Sequence, residues 1–207
     1  MKGVLDAKGA VLALFFGIVL FIYGGVPYLA LMLLFFLLAV LVTRYEFDIK
    51  RELGLYEHER GWENVLSNGL LPTILAVLSP YVGPMPFIAS MAAVTADKFG
   101  SEVGVLDPSD PVSIFSLKPV KPGTSGAMSV LGTVGSFTGA CTIGAAALFI
   151  FGVTPTAALL IAMAGLAGSI VDTAFGVLEE AGVGTKGTTN FICSLAGALI
   201  GYYFIAW

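Results

Sequence analysis

Two stretches decide the fold of this chain: ADKFGSEVG at residues 96–104 and KPGTSG at residues 121–126. The first follows an apolar run and carries two acids. The second precedes another apolar run and supplies a lysine, glycines and hydroxyls. Acids of this kind suit a hard cation, and a glycine-rich helix start suits phosphate groups. The pattern predicts a phosphate-handling site between two apolar helices.

The composition around these stretches indicates a membrane protein. Of the 207 residues, 57% are hydrophobic and only 12% are charged, whereas soluble domains average about 25% charged. Mean hydropathy is +0.93. We expect an all-α, polytopic helical bundle, a single transmembrane domain over residues 1–207, with about seven spans of roughly 20 residues. No basic tail points to a nucleic-acid partner, and the sequence indicates no particular oligomeric state.

Hydropathy and turn residues predict where the spans lie. Glycine and proline clusters separate the apolar runs, at residues 24–27 and 80–86 among others. Pro72 is expected to kink the third span. Residues 44–67 form the longest polar segment, predicted as a helical extension followed by a short piece that enters the membrane near Trp62. The predicted spans are 9–23, 28–43, 66–79, 85–99, 126–151, 156–176 and 190–207.

The charges are distributed asymmetrically over these spans. All ten Lys and Arg residues fall in the N-terminus or in residues 44–68, 97–126 and 177–190, which lie on one side of a seven-span bundle. The three loops on the other side carry no charge. The positive-inside rule then predicts a multi-pass cell-membrane protein with a cytoplasmic N-terminus and an outside C-terminus. Any chemistry is expected at the cytoplasmic face.

Three acids are candidate Mg²⁺ ligands: Asp97, Glu102 and Asp172. Asp172 lies inside a predicted span, where an ionisable residue is costly and by default functional. Asp97 and Glu102 would be offset by about 140° on a continuous helix at roughly 100° per residue, so they meet only if the helix breaks at Gly100. Structural alternatives are an ion pair between Asp172 and Lys121, and pairing of Asp97 with adjacent lysines.

The 121–126 run is the candidate phosphate-binding loop. A helix N-terminus offers free N–H groups and a positive dipole end, although the order of residues is not that of a Walker A motif. For the 121–126 run the alternative is an ordinary turn. The second glycine-rich loop, at 182–190, also leads into a helix and is a candidate for binding a second anionic group, with a flexible connector as the alternative. Arg60, Asn64 and Asn68 lie on one helical stripe, and with Lys186 they are candidates for binding the acceptor. The candidate nucleotide ligands are Lys121, Gly123, Thr124, Ser125, Gly126 and Ser129.

Four ordered motifs resemble a known family. These are residues 64–69, 96–104, 122–126 and 168–173, and residues 5–10 fit as well. They resemble the membrane family that includes the plant phytyl-phosphate kinase of tocopherol synthesis, which is distantly similar to dolichol kinases and CDP-diacylglycerol synthases. Lys98 and Ala127 depart from the pattern, since a small polar residue and a glycine are expected there.

The resemblance implies a kinase that transfers a phosphoryl group from a nucleoside triphosphate, CTP or ATP with CTP favoured, to an isoprenoid lipid monophosphate. Asp97, Glu102 and Asp172 would hold Mg²⁺, with Lys121 as a further catalytic residue. The prenyl tail would lie between the fifth, sixth and seventh helices. Two alternatives remain: a transporter with discontinuous short spans and Asp172 as coupling acid, or a CTP-dependent cytidylyltransferase that makes a CDP-lipid.

Overall fold

The computed structural model describes residues 5–54 and 61–205. Within them the all-α prediction is confirmed: the chain forms seven helices and one two-stranded β-ribbon. Four helices, α1, α3, α5 and α6, are long and apolar enough to cross a membrane. The elements are α1 (Ala7–Arg44), α2 (Phe47–Glu52), α3 (Trp62–Val82), α4 (Met85–Gly104), β1 (Val112–Ser113), β2 (Ala127–Met128), α5 (Val130–Ile150), α6 (Pro155–Glu180) and α7 (Lys186–Phe204).

Helix α1 folds back on itself at the predicted turn. Gly25 has a φ of 74° and a ψ of -165°, a conformation that only glycine adopts readily, and Pro27 follows it. A Cβ placed on Gly17 would lie 3.7 Å from Leu29 Cδ1. In a continuous helix, 12 residues would separate these two by about 18 Å along the axis. The two arms of α1 therefore pack antiparallel.

Helix α4 is the centre of the bundle, because every residue from Met85 to Asp97 is buried. Its alanines let neighbouring backbones approach closely. A Cβ on Gly197 or Gly201 of α7 would lie 2.6 Å from the carbonyl oxygen of Ala89 or Met85, respectively. These glycines are therefore required for packing, as small-residue motifs between membrane helices generally are.

Helix α4 continues through Gly100 without a break, so the break that would join Asp97 to Glu102 does not occur. The glycine serves packing instead. A Cβ there would lie 2.1 Å from Ser136 Oγ of α5, which is far inside van der Waals contact. Gly100 thus allows α4 and α5 to cross closely.

Helix α5 begins at Val130, later than the predicted start at Gly126. The intervening residues form β2, in which Met128 pairs with Val112 of β1. Ser129 then caps the helix, since its Oγ accepts a hydrogen bond from the Gly132 N–H at 3.0 Å. The 122–126 loop therefore leads into a strand rather than directly into a helix.

The charged segments gather at one end of the bundle. Asp6 Oδ2 lies 3.9 Å from the Cβ position of Gly61, so the starts of α1 and α3 are adjacent. Ion pairs join α2 to the end of α4, and the end of α6 to the start of α7. The turns at 80–84 and 151–154 carry no charge and lie at the other ends of their helices. The side of the membrane that the charged end faces stays a prediction.

Candidate functional site

A cavity of about 550 Å³ opens at the charged end of the bundle. Its walls come from α3, α4, α5, α6, α7 and the 122–126 loop. It brings together most of the residues proposed from the sequence. The polar and loop residues that line it include Asn64, Asn68, Asp97, Lys98, Glu102, Gly123, Thr124, Ser125, Gly126, Ser129, Asp172, Lys186 and Asn190.

Asp97 and Asp172 form the deepest acidic pair of this cavity. A Cβ on Gly168 would lie 2.6 Å from the Ala93 Cβ, so α4 and α6 touch at that level. Four residues further along each helix come Asp97 and Asp172. Both side chains are buried where these two helices pack together. The structure therefore joins two of the three predicted metal ligands.

Lys186, at the start of α7, is the cationic partner of this pair. Its Nζ lies 3.0 Å from Asp172 Oδ2, and its side chain is half exposed to the cavity. The sequence alternative that paired Asp172 with Lys121 is thereby wrong, because Lys186 takes that position. The three groups Asp97, Asp172 and Lys186 are called the α4–α6–α7 cluster below.

Two buried oxygens in the cavity have no hydrogen-bond partner among residues 5–54 and 61–205. They are Asp172 Oδ1 and Asn190 Oδ1. Leaving a buried polar atom unpaired costs about 1–3 kcal/mol, so each of these oxygens needs a partner, which water or a ligand can supply. Asn190 had been read only as the end of a glycine-rich loop. Its position four residues after Lys186, on the same face of α7, is the signal that would have identified it.

Glu102 belongs to a different cluster. Its two carboxylate oxygens receive Lys50 Nζ at 2.9 Å and Thr43 Oγ1 at 2.7 Å, and Lys98 also pairs with it. Lys50 is fully buried and additionally donates to the Val42 carbonyl oxygen at 2.8 Å. Glu102, Lys50, Lys98 and Thr43 are called the α1–α2–α4 cluster below.

The three acids predicted to bind one metal ion therefore do not lie together, because Glu102 is separate from Asp97 and Asp172. The described residues contain no group of three His, Cys, Asp or Glu side chains arranged for a metal ion. Because α4 is continuous, five residues turn Glu102 about 140° away from Asp97. The paired oxygens of Glu102 are occupied, whereas one oxygen of Asp172 is open.

Sequence reasoning also missed the roles of two lysines. Lys50 lies in the polar segment 44–67, and α2 folds it inward between the end of α1 and α4. Lys98 departs from the family pattern and is also a predicted partner of Asp97, but the structure pairs it with Glu102. It lies one helical turn before Glu102, at the spacing that favours an ion pair, and it lines the cavity.

The 122–126 loop packs against the end of α6. Gly126 has a φ of 79°, and a Cβ there would lie 2.4 Å from Val177 Cγ2. Ser125 donates its hydroxyl to Glu179 Oε1 at 3.2 Å and its N–H to Glu180 Oε2 at 3.3 Å. Gly123 and Thr124 line the cavity, whereas Lys121 is exposed and lies outside the lining.

The helix N-termini beside the cavity are capped by the chain itself. At α5, Asp107 Oδ2 accepts the Leu131 N–H at 2.9 Å in addition to the Ser129 cap. This hydrogen bond, with a second from the Ser109 N–H, lowers the pKa of Asp107 below its ordinary value. At α7, Thr185 and Thr188 form a capping box. Some of the N–H groups expected to bind phosphate are therefore already engaged.

The predicted acceptor-binding stripe is described in part. Asn64 and Asn68 line the cavity from α3, and Asn68 Nδ2 donates to the Asn64 carbonyl oxygen at 2.9 Å. Arg60 lies outside the described residues. The described part of the stripe thus faces the cavity, as its helical spacing predicted.

A second, apolar groove of about 380 Å³ lies beside α4 and α5. It lies between the second arm of α1 and the helices α4 and α5, not among α5, α6 and α7. It is lined by Leu38, Leu41, Val42, Tyr45, Phe99, Val103, Leu131, Val134, Gly135 and Thr138.

Comparison with known proteins places the chain among integral membrane proteins. The sequence profile described as "Integral membrane protein DUF92" matches residues 1–199. An uncharacterised membrane protein of Methanocaldococcus jannaschii is 34% identical over 201 residues, which are 95% of this chain and 84% of the relative. Protein PGR of Arabidopsis thaliana is 28% identical over 207 residues, covering 83% of this chain and 70% of that protein.

An uncharacterised membrane protein of Synechocystis is 33% identical over 116 residues, or 51% of this chain and 45% of that protein. No solved structure matches the chain.

Proposed function

The chain belongs to the integral membrane family DUF92, and we propose that it is a membrane-embedded kinase. The proposed reaction transfers a phosphoryl group from a nucleoside triphosphate, CTP favoured over ATP, to an isoprenoid lipid monophosphate. The product is the lipid diphosphate. We place this reaction in the cavity at the charged end of the bundle, at the cytoplasmic face.

One observation carries the proposal: a single cavity holds an acidic pair and two lysines. Asp97 and Asp172 lie beside Lys186, and Lys98 lines the same space. Phosphoryl transfer between two anionic substrates requires both kinds of charge, since carboxylates hold a metal and lysines neutralise phosphate oxygens. The volume of about 550 Å³ lies within the range of small-molecule sites, roughly 300–1,000 Å³.

The chain's own residues have distinct tasks in this reaction. Lys186 and Lys98 bind phosphate oxygens as point charges, and Asn64 and Asn68 orient the acceptor. The hydroxyl of Thr124 and the backbone of Gly123 contact the donor. A phosphate monoester has a second pKa near 6 and is largely dianionic at pH 7, so the acceptor needs no strong general base.

Asp97 and Asp172 are the residues that would hold Mg²⁺, because the open oxygen of Asp172 is available for a ligand. When bound, Mg²⁺ would neutralise negative charge on the transferring phosphoryl group. We leave Glu102 outside this set, since its oxygens are engaged by Lys50 and Thr43. Lys121 stays a predicted contact for the outer phosphates of the donor.

We assign the isoprenoid tail to the apolar groove between α1, α4 and α5 in place of the space among α5 to α7. Phe99 and Val103 line the groove, whereas their neighbours Gly100 and Gly104 line the cavity. The two spaces thus flank one helix pair. A lipid with its phosphate in the cavity would therefore have apolar surface close by.

The test is incubation of the purified protein with labelled CTP or ATP, Mg²⁺, and a panel of prenyl alcohols and prenyl monophosphates. The expected products are a prenyl diphosphate and CDP or ADP. Release of pyrophosphate with a CDP-lipid would instead identify a cytidylyltransferase. Nucleotide-independent uptake of a solute into proteoliposomes, with no transfer, would identify a transporter.

A further inference from the structure

Asn190 lies at the level of the acidic pair. Helices α6 and α7 are antiparallel, because a Cβ on Gly168 would lie 2.9 Å from the Cys193 carbonyl oxygen and Lys186 reaches Asp172. Asn190 is between Lys186 and Cys193 on the same face of α7, one turn from each. It therefore faces the segment of α6 that carries Asp172, and it lines the cavity.

The open oxygens of Asp172 and Asn190 are both deeply buried. The two residues are only 4% and 5% exposed, and neither Oδ1 has a hydrogen-bond partner among the described residues. Each of these two acceptor atoms requires an electropositive partner. A water molecule would supply hydrogen bonds but would leave the charge of the acidic pair uncompensated.

The α4–α6–α7 cluster holds two buried carboxyl groups and one lysine. Two adjacent carboxylates repel each other unless a proton or a cation lies between them, and Lys186 supplies a single positive charge through one Asp172 oxygen. Hard divalent cations prefer oxygen ligands. Mg²⁺ typically takes one or two carboxylates and keeps other positions for water and substrate phosphates.

We propose that Asp97, Asp172 and Asn190 form a divalent-cation site, and that the cation displaces Lys186 from Asp172 towards a phosphomonoester bound in the same cavity. The half-exposed side chain of Lys186 has room to turn. The cation and the phosphomonoester then bind cooperatively, because the cation frees the lysine that the anion needs. Only the identity of the anion rests on the proposed function.

The cation site is tested by titrating the purified full-length protein with Mn²⁺ alone and measuring free Mn²⁺ by electron paramagnetic resonance. Asn190→Leu is expected to weaken binding at least about tenfold, or roughly 1.4 kcal/mol, whereas Asn190→Asp retains or strengthens it. Lys186→Met should strengthen binding, because the competing ammonium group is gone. Thr73→Val is the control, since Thr73 is buried on α3 outside the cavity lining and its hydroxyl donates to the Gly69 carbonyl oxygen, so its Mn²⁺ affinity should equal that of the wild type.

The coupling is tested by measuring geranyl monophosphate binding with and without Mn²⁺. The wild type should bind the phosphomonoester more tightly in Mn²⁺, and by linkage Mn²⁺ more tightly in the phosphomonoester, by the same factor. Lys186→Met should lose this mutual effect while it retains the metal. A thermal-unfolding scan of each variant separates a lost ligand from a lost fold.

Failure of this inference is distinct from failure of the proposed function. Unchanged Mn²⁺ affinity in a folded Asn190→Leu variant, or weakened affinity in Lys186→Met, would overturn the cation site even if phosphoryl transfer is observed. Equal phosphomonoester affinity with and without Mn²⁺ would overturn the coupling. Conversely, the expected Mn²⁺ results without any transfer would retain the site and reject the kinase.

Discussion

Asp97 and Glu102 lie five residues apart on one helix, yet their surroundings are opposite. Both carboxylate oxygens of Glu102 are paired: a buried lysine, a threonine hydroxyl and a second lysine contact them. Asp97 lies beside another acid, Asp172, one of whose oxygens has no partner among residues 5–54 and 61–205. Because a fully paired acid has nothing left to offer a ligand, Glu102 is structural, whereas the α4–α6–α7 cluster is available for chemistry.

Neutralising Asp172 or Asp97 should have the largest effect on phosphoryl transfer. Asp172→Asn, and equally Asp97→Asn, should lower phosphoryl transfer about 10²-fold or more, the scale on which one transition-state electrostatic contact acts. The fold should survive, because neither acid is the sole support of a buried cation. The measurement is product formation per folded molecule, and near-wild-type turnover in either variant would reject their metal-binding role.

Glu102→Gln should act mainly on stability. It leaves the fully buried Lys50 without its counter-charge, and breaking a buried pair from one side costs about 3–5 kcal/mol. Thermal unfolding in detergent measures this loss. The double variant Lys50→Met with Glu102→Leu should recover much of it, since both charges are then gone. If Glu102→Gln abolished transfer with an unchanged Tm, the two clusters would have been assigned the wrong way round.

Substitution of Gly126 tests whether the 122–126 loop, beside the α4–α6–α7 cluster, packs against α6. Gly126→Ala and Gly152→Ala both place alanine at positive φ, which costs about 1–2 kcal/mol. Only at Gly126 does the new Cβ meet α6, at 2.4 Å from Val177, whereas nothing lies within 4 Å of Gly152. The Gly126 variant should be less stable than the Gly152 variant by a further 1–3 kcal/mol or so. Equal Tm values would contradict this packing.

Asp107 lies outside both clusters, and its removal should have the smallest effect. Its pKa is lowered by N–H groups of Leu131 and Ser109, so its contribution to stability is present above the ordinary aspartate pKa and is lost as the pH falls through the lowered value. Asp107→Asn should therefore lower the Tm slightly at neutral pH. The difference from the wild type should shrink below about pH 4, and a difference that grew in acid would contradict this cap.

Much of the fold was predictable because membrane helices are encoded by local composition. The turn at Gly25, the start of α4 at Met85 and the packing glycines of α7 all follow from hydropathy and residue size. The start of α5 was not predicted, because two residues of the intervening loop pair with a strand that is distant in sequence.

The candidate site was predictable in part for the same reason. Asp97, Asp172 and Lys186 stand out as ionisable residues at the ends of apolar runs, and the structure brings them together. Lys50 did not stand out, because its segment looks solvated until α2 folds it against Glu102. Asn190 is neutral and stands out only once its buried side-chain oxygen, unpaired within the described part of the chain, is seen in the cavity lining that also holds Asp172.

The sequence by itself determined that this chain is a helical membrane protein and that its charges lie at one end. Composition, helix length and turn residues are local properties, and each is readable without knowledge of neighbours. Only the tertiary structure decided that Glu102 is paired with buried Lys50 and that Asp97 lies beside Asp172. That outcome depends on the rotation of α4, continuous through Gly100, which turns Asp97 towards α6 and Glu102 towards α1 and α2.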